Sequence, residues 1–106
     1  MIDFSTALKM VEDELDRMSK KMRPEDKPVI VHALTMERDF GWVFFYESER
    51  YFVTNETIDR LAGNAPFLVD KQTGLLHSLG TGKPVEEYIQ SYLENKMNNV
   101  HSNKRN

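Results

Sequence analysis

Phe4, Leu8, Val11, Leu15, Met18 and Met22 recur in alternating steps of four and three. At about 100° per residue these positions form one stripe, so the spacing predicts an amphipathic helix over residues 4–22. Asp3 or Ser5 suits its N-terminal cap, and Lys20, Lys21 and Arg23 suit its negative end. Pro24 and Pro28 then stop helical propagation.

From Val29 the texture becomes β-branched and aromatic. Val29–Leu34 and Trp42–Tyr46 read as two strands, with Glu37-Arg38-Asp39-Phe40-Gly41 as the connection of an antiparallel hairpin. Trp42–Tyr46 is apolar on both alternating faces, which suits a central strand covered on both sides. Tyr51-Phe52-Val53-Thr54 reads as a third strand entered through the polar turn Glu47-Ser48-Glu49-Arg50. Within Asn55–Asn64, Ile58, Leu61 and Ala62 suit one helical turn capped by Gly63.

Ala65–Val69 and Leu75–Leu79 flank Asp70-Lys71-Gln72-Thr73-Gly74, whose residue types suit a tight turn. Gly80-Thr81-Gly82 allows a change of direction, and Pro84 suits the first position of a helix whose apolar face is Val85, Tyr88, Ile89, Tyr92, Leu93 and Met97. The expected class is α+β: an N-terminal helix, an antiparallel four-stranded sheet, and a C-terminal helix packed on the sheet, with the helices mainly on one face. Residues 1–97 form the expected single domain, and 98–106 a flexible polar tail.

Composition narrows the chemistry. The 106 residues are 40% hydrophobic and 29% charged, the balance of a folded domain. With no cysteine, disulfides, thiolate catalysis and cysteine metal sites are excluded. The opening Met1-Ile2-Asp3-Phe4-Ser5 lacks the layout of a secretory signal, so a cytoplasmic location is expected. No apolar run approaches the roughly 20 residues of a membrane span. A net charge of −3 argues against a phosphate-backbone binder, while leaving a basic protein partner open.

No constellation of reactive groups stands out. His32, His77 and His101 lack ligand spacing, so no metal is expected. Glu12, Asp13, Glu14 and Asp16 lie opposite the helix stripe as a solvated face. Gly80-Thr81-Gly82-Lys83-Pro84 precedes a helix but lacks phosphate-loop spacing, and no serine sits in a nucleophile elbow. No cofactor and no enzymatic activity are expected. Glu37, Asp39, Glu47 and Glu49 fall in or beside turns, near Trp42 and Tyr46. These six are the candidate partner-binding residues, aromatic anchors with an acidic edge.

Leu61-Ala62-Gly63-Asn64-Ala65-Pro66-Phe67-Leu68-Val69-Asp70-Lys71-Gln72-Thr73-Gly74, continuing through His77-Ser78-Leu79-Gly80-Thr81-Gly82-Lys83-Pro84 to Glu86-Glu87-Tyr88, resembles the core signature of the immunity protein 35 (YrhB-like) family. Gly41-Trp42-Val43-Phe44 to Tyr46-Glu47 resembles its aromatic strand, so the likeness covers roughly residues 4–93. The resemblance implies a small bacterial α+β protein, often encoded among polymorphic toxin genes, that neutralises a cognate toxin by binding it. Some YrhB-like members are instead described as chaperone-like, which leaves capture of unfolded clients as the alternative. The resemblance supplies no catalytic residue. Gly63, Asn64, Pro66, Asp70, Gly74, Gly80 and Pro84 are turn or cap types, which makes the signature a set of fold determinants.

Overall fold

Helix α1 spans Phe4–Ser19 and begins where the Asp3 carboxylate accepts the Thr6 amide at 2.9 Å. That bond satisfies one of the amides a helix start leaves open, and it selects Asp3 over Ser5 as the cap. The computed structural model describes residues 1–54 and 64–105; the expected helical turn and Gly63 cap within Asn55–Asn64 lie outside the described residues except for Asn64. Helix α1 stops three residues short of the predicted Met22, because Lys21 and Met22 donate to Met18 and Ser19 in tightened closing turns.

After a 3-10 turn at Pro24–Asp26 the chain forms β1 (Pro28–Ile30), a second 3-10 turn at His32–Leu34, and β2 (Met36–Arg38). The predicted continuous strand Val29–Leu34 is therefore corrected. Val31 makes the last ribbon bond, donating to the Phe45 carbonyl at 2.8 Å, and the chain then crosses to the edge of another sheet. Turn bonds from Leu34 to Val31 and from Thr35 to His32 make that crossing, overriding local β preference.

Strands β3 (Gly41–Phe44) and β4 (Tyr46–Ser48) divide the aromatic run at Phe45. Phe44 pairs with Phe67 in the main sheet, whereas Tyr46 pairs with Ile30 of β1, so the run changes partner at that residue. Helix α2 (Glu49–Thr54) occupies the predicted third strand Tyr51–Thr54. The Ser48 hydroxyl accepts the Tyr51 amide at 3.1 Å, an N-cap that outweighs the β-branched and aromatic composition of six residues.

Strands β5 (Phe67–Asp70) and β6 (Leu76–Ser78) form the predicted second hairpin, and α3 spans Val85–Arg105. The main sheet is antiparallel and four-stranded in the order β2-β3-β5-β6, and β1 and β4 make a separate two-stranded ribbon. Pairing Trp42 with Val69 and Val43 with Leu68 sends alternate side chains to opposite faces. Ala7, Val11 and Leu15 of α1 pack with Trp42, Phe44, Tyr46, Phe67 and Val69. Ile89 of α3 packs with Val43 and Leu68 on the reverse face. The helices thus lie on opposite faces, correcting the expectation of one mainly covered face: β3 and β5 are buried at every position, with large apolar side chains on both faces, and need two covers.

Gly41 makes the close approach at the β2–β3 turn. Its φ is +145°, and a Cβ there would lie 2.1 Å from the Val69 carbonyl oxygen, so a side chain is excluded by both backbone and neighbour.

Candidate functional site

The six residues with partner-binding chemistry are distributed over both ends of β3. Glu37 sits on β2 opposite Trp42, and Asp39 in the following turn, both exposed. Glu49 is exposed at the start of α2, beyond the other end of β3. At about 3.3 Å per residue, the four residues of β3 hold these acidic groups about 10 Å or more apart. Trp42 and Tyr46 are only 7% and 6% exposed, their rings packed beneath α1. Phe4 covers Trp42 edge-on at 5.9 Å, and Tyr46 stacks on Phe67 at 5.4 Å. Burial, with the Glu47 charge beside it, pushes the Tyr46 phenol above its ordinary range.

Glu47 is buried, and the Asn64 side-chain amide donates to its carboxylate at 3.2 Å and to the Tyr46 carbonyl at 2.9 Å. One side chain thereby fastens the segment leading into β5 to β4. Here the structure also opens a groove of about 470 Å³. Leu34, Phe45 and Tyr51 supply apolar wall, Glu47 and Lys83 charge, and Thr81 a hydroxyl. Leu34, on the wall of this groove, is 55% exposed. The sequence gives little sign of the groove, because its walls come from segments distant in the chain.

A second polar constellation lies at the β5–β6 turn. Asp70 is fully buried; one carboxylate oxygen accepts the Gln72 and Thr73 amides at 2.8 and 3.2 Å. The other accepts the Tyr92 hydroxyl at 2.5 Å and the Lys96 ammonium at 2.6 Å. Burial alone would raise the Asp70 pKa, but Lys96, Tyr92 and the two amides together hold it down to about 2. Burial and the bond to Asp70 push the Tyr92 phenol up. Both carboxylate oxygens are thus committed to holding the turn and binding α3, an arrangement for anchoring. Sequence reading assigns Asp70 to the turn; its partners on α3 lie 22 and 26 residues away and carry no local signal.

His77 rests on the Tyr92 ring with centroids 4.8 Å apart, while His32 is exposed on the 3-10 turn. Among the described residues no group of three or more metal-binding side chains converges, and no helix is long and apolar enough to cross a membrane. The glycines of Gly80-Thr81-Gly82 serve Tyr88. A Cβ on Gly80 would lie 2.5 Å from its ring, and the Gly82 amide donates to its hydroxyl at 3.0 Å.

These features define a helix–sheet–helix domain of α+β class whose signature residues shape turns and anchor a helix. The chain belongs to the immunity protein 35 family, whose model matches residues 5–91. It is 48% identical over 69 residues to the uncharacterised protein YrhB of Escherichia coli (strain K12), a stretch covering 63% of this chain and 70% of YrhB. No solved structure matches.

Proposed function

We propose that this protein is a bacterial immunity protein that binds a cognate toxin and blocks it stoichiometrically, by occupancy and without turnover. The observation that carries this reading is the family match over residues 5–91, which takes in α1, both sheets and the first turns of α3. Binding is assigned to the outside of this scaffold, in the cytoplasm where a toxin would act. Exposed Glu37, Asp39 and Glu49 steer a basic target, while Trp42, Tyr46 and Glu47 hold the surface in shape from beneath. Exposed Leu34 and the adjoining groove supply apolar contact.

Co-expression with the toxic product of the neighbouring gene tests this reading. Cells carrying both genes are expected to grow, and cells carrying the toxin alone to stop. Continued killing in the presence of abundant folded protein would count against it. If the protein instead suppresses aggregation of unrelated unfolded clients while failing to protect, the chaperone-like alternative takes its place.

A further inference from the structure

Helix α3 is held to the sheet by less apolar contact than α1. Ala7, Val11 and Leu15 of α1 are buried in the aromatic core, whereas Ile89 alone is buried among the described residues of α3, against Val43 and Leu68. The other main fastenings of α3 are polar. Lys96 reaches the buried Asp70 carboxylate at 2.6 Å and the Gln72 side-chain oxygen at 3.1 Å, and the Tyr92 hydroxyl donates to the same Asp70 oxygen. At the start of the helix, the pair Arg38–Glu86 is open to water.

The lead-in is tied to the helix and not to the sheet. Leu79 donates to the Pro66 carbonyl at 2.8 Å, the last bond from β6 to β5. Beyond it, residues 81–84 are exposed, and the Gly82 amide donates to the Tyr88 hydroxyl at 3.0 Å while the Pro84 carbonyl accepts the Glu87 amide at 3.0 Å. Gly80 lies against the Tyr88 ring, so close that a Cβ would overlap it. From Gly80 onward the chain is therefore one body with α3, and its pivot falls after Leu79.

We propose that this body is a hinged strap, which opens from the sheet as one cooperative unit while α1 and both sheets stay folded, with the Asp70–Tyr92–Lys96 clasp setting how often it does so. Elements with few buried apolar contacts open at free energies below that of global unfolding. Opening the strap also returns the Asp70 and Lys96 charges to water, which offsets part of the loss of their pairing. Lifting α1 has no such offset, since it exposes the whole aromatic cluster. The open strap uncovers Val43 and Leu68, flanked by half-buried Met36, Phe40 and Leu79, an apolar strip that the closed domain hides. Access to that strip is thus governed by one buried carboxylate and its two partners on α3.

Toxin binding plays no part in this opening, and the full chain alone tests it. Native-state hydrogen exchange at neutral pH, followed by NMR at rising sub-denaturing urea, compares amides 88–96 of α3 with amides 8–15 of α1. The α3 amides are expected to exchange at least about tenfold faster than those of α1, with a weaker urea dependence. Lys96→Gln shortens the clasp from the helix side and leaves the Asp70 turn intact; it is expected to speed α3 exchange by a further tenfold or so, with α1 exchange and Trp42 fluorescence unchanged. Tyr92→Phe keeps the ring against His77 and removes only the hydroxyl, so a smaller acceleration confined to α3 is expected. Equal protection and equal urea dependence in the two helices of the wild type would make them a single unit and overturn the proposal. So would an acceleration by Lys96→Gln or Tyr92→Phe that appears equally in α1, or none in α3.

Discussion

The two faces of the main sheet are held by different physics. Under α1 the cover is aromatic: Trp42, Phe44, Tyr46 and Phe67 meet Ala7, Val11 and Leu15. Under α3 the buried apolar cluster shrinks to Val43, Leu68 and Ile89, with half-buried residues around it. Polar anchors complete the second face, Asp70 with Tyr92 and Lys96 at one end and Arg38 with Glu86 at the other. The first face depends on burial, which is indifferent to pH; the second depends on one carboxylate remaining ionised. Substitutions on the two faces should therefore differ in kind as well as in size.

The largest loss is expected from Phe44→Ala, which empties a fully buried position in the aromatic face. A cost of about 4 kcal/mol in urea unfolding is expected at every pH where the protein folds. Gly41→Ala follows at about 3 kcal/mol, since the added Cβ meets the Val69 carbonyl and must displace backbone. A substitution there with no change in the urea midpoint would show that the turn carries slack.

Asp70→Ala is expected to cost about 3 kcal/mol at neutral pH by leaving Lys96 and Tyr92 without their shared acceptor. The same group sets the acid response. Its folded pKa of about 2 lies below the ordinary aspartate value of 3.8, so its stabilisation is nearly complete above about pH 4 and lost as pH falls toward 2. On this account wild type loses about 2 kcal/mol across that window from Asp70 alone. Asp70→Asn removes that contribution, so a stability difference between the two proteins that stays constant from pH 5 to about pH 2 would contradict it.

The smallest effect is expected at the exposed pair. Arg38 donates to both Glu86 oxygens, at 2.6 and 3.3 Å, and holds the Glu86 carboxyl below its ordinary range. Glu86→Gln should shift the thermal midpoint only slightly, and added salt should shrink the difference. A shift as large as that of Asp70→Ala would place the main fastening of α3 at its start.

Much of this architecture is legible in the chain itself, and what is not has a definable cause. The 3.6-residue period located α1, and Asp70 to Gly74 located the second hairpin, because both signals are local. Tyr51–Thr54 misleads because its composition favours a strand while the preceding Ser48 caps a helix. The break at Phe45 is invisible locally, since it arises from two different partner strands. Among the candidate interface residues, acidity marked exposed Glu37, Asp39 and Glu49, but aromatic character marked Trp42 and Tyr46, which the core uses. Aromatic side chains serve cores and interfaces alike, and only the tertiary fold separates the two uses.

Complex formation is the most direct test of toxin neutralisation. The purified chain, mixed with an inactivated form of the protein encoded beside it, is to be followed by size-exclusion chromatography with light scattering. The account predicts a complex of defined stoichiometry, weakened when Glu37, Asp39 and Glu49 are together replaced by lysine. Two proteins eluting independently at micromolar concentration, with the chain folded and the toxin still active in its presence, would contradict it.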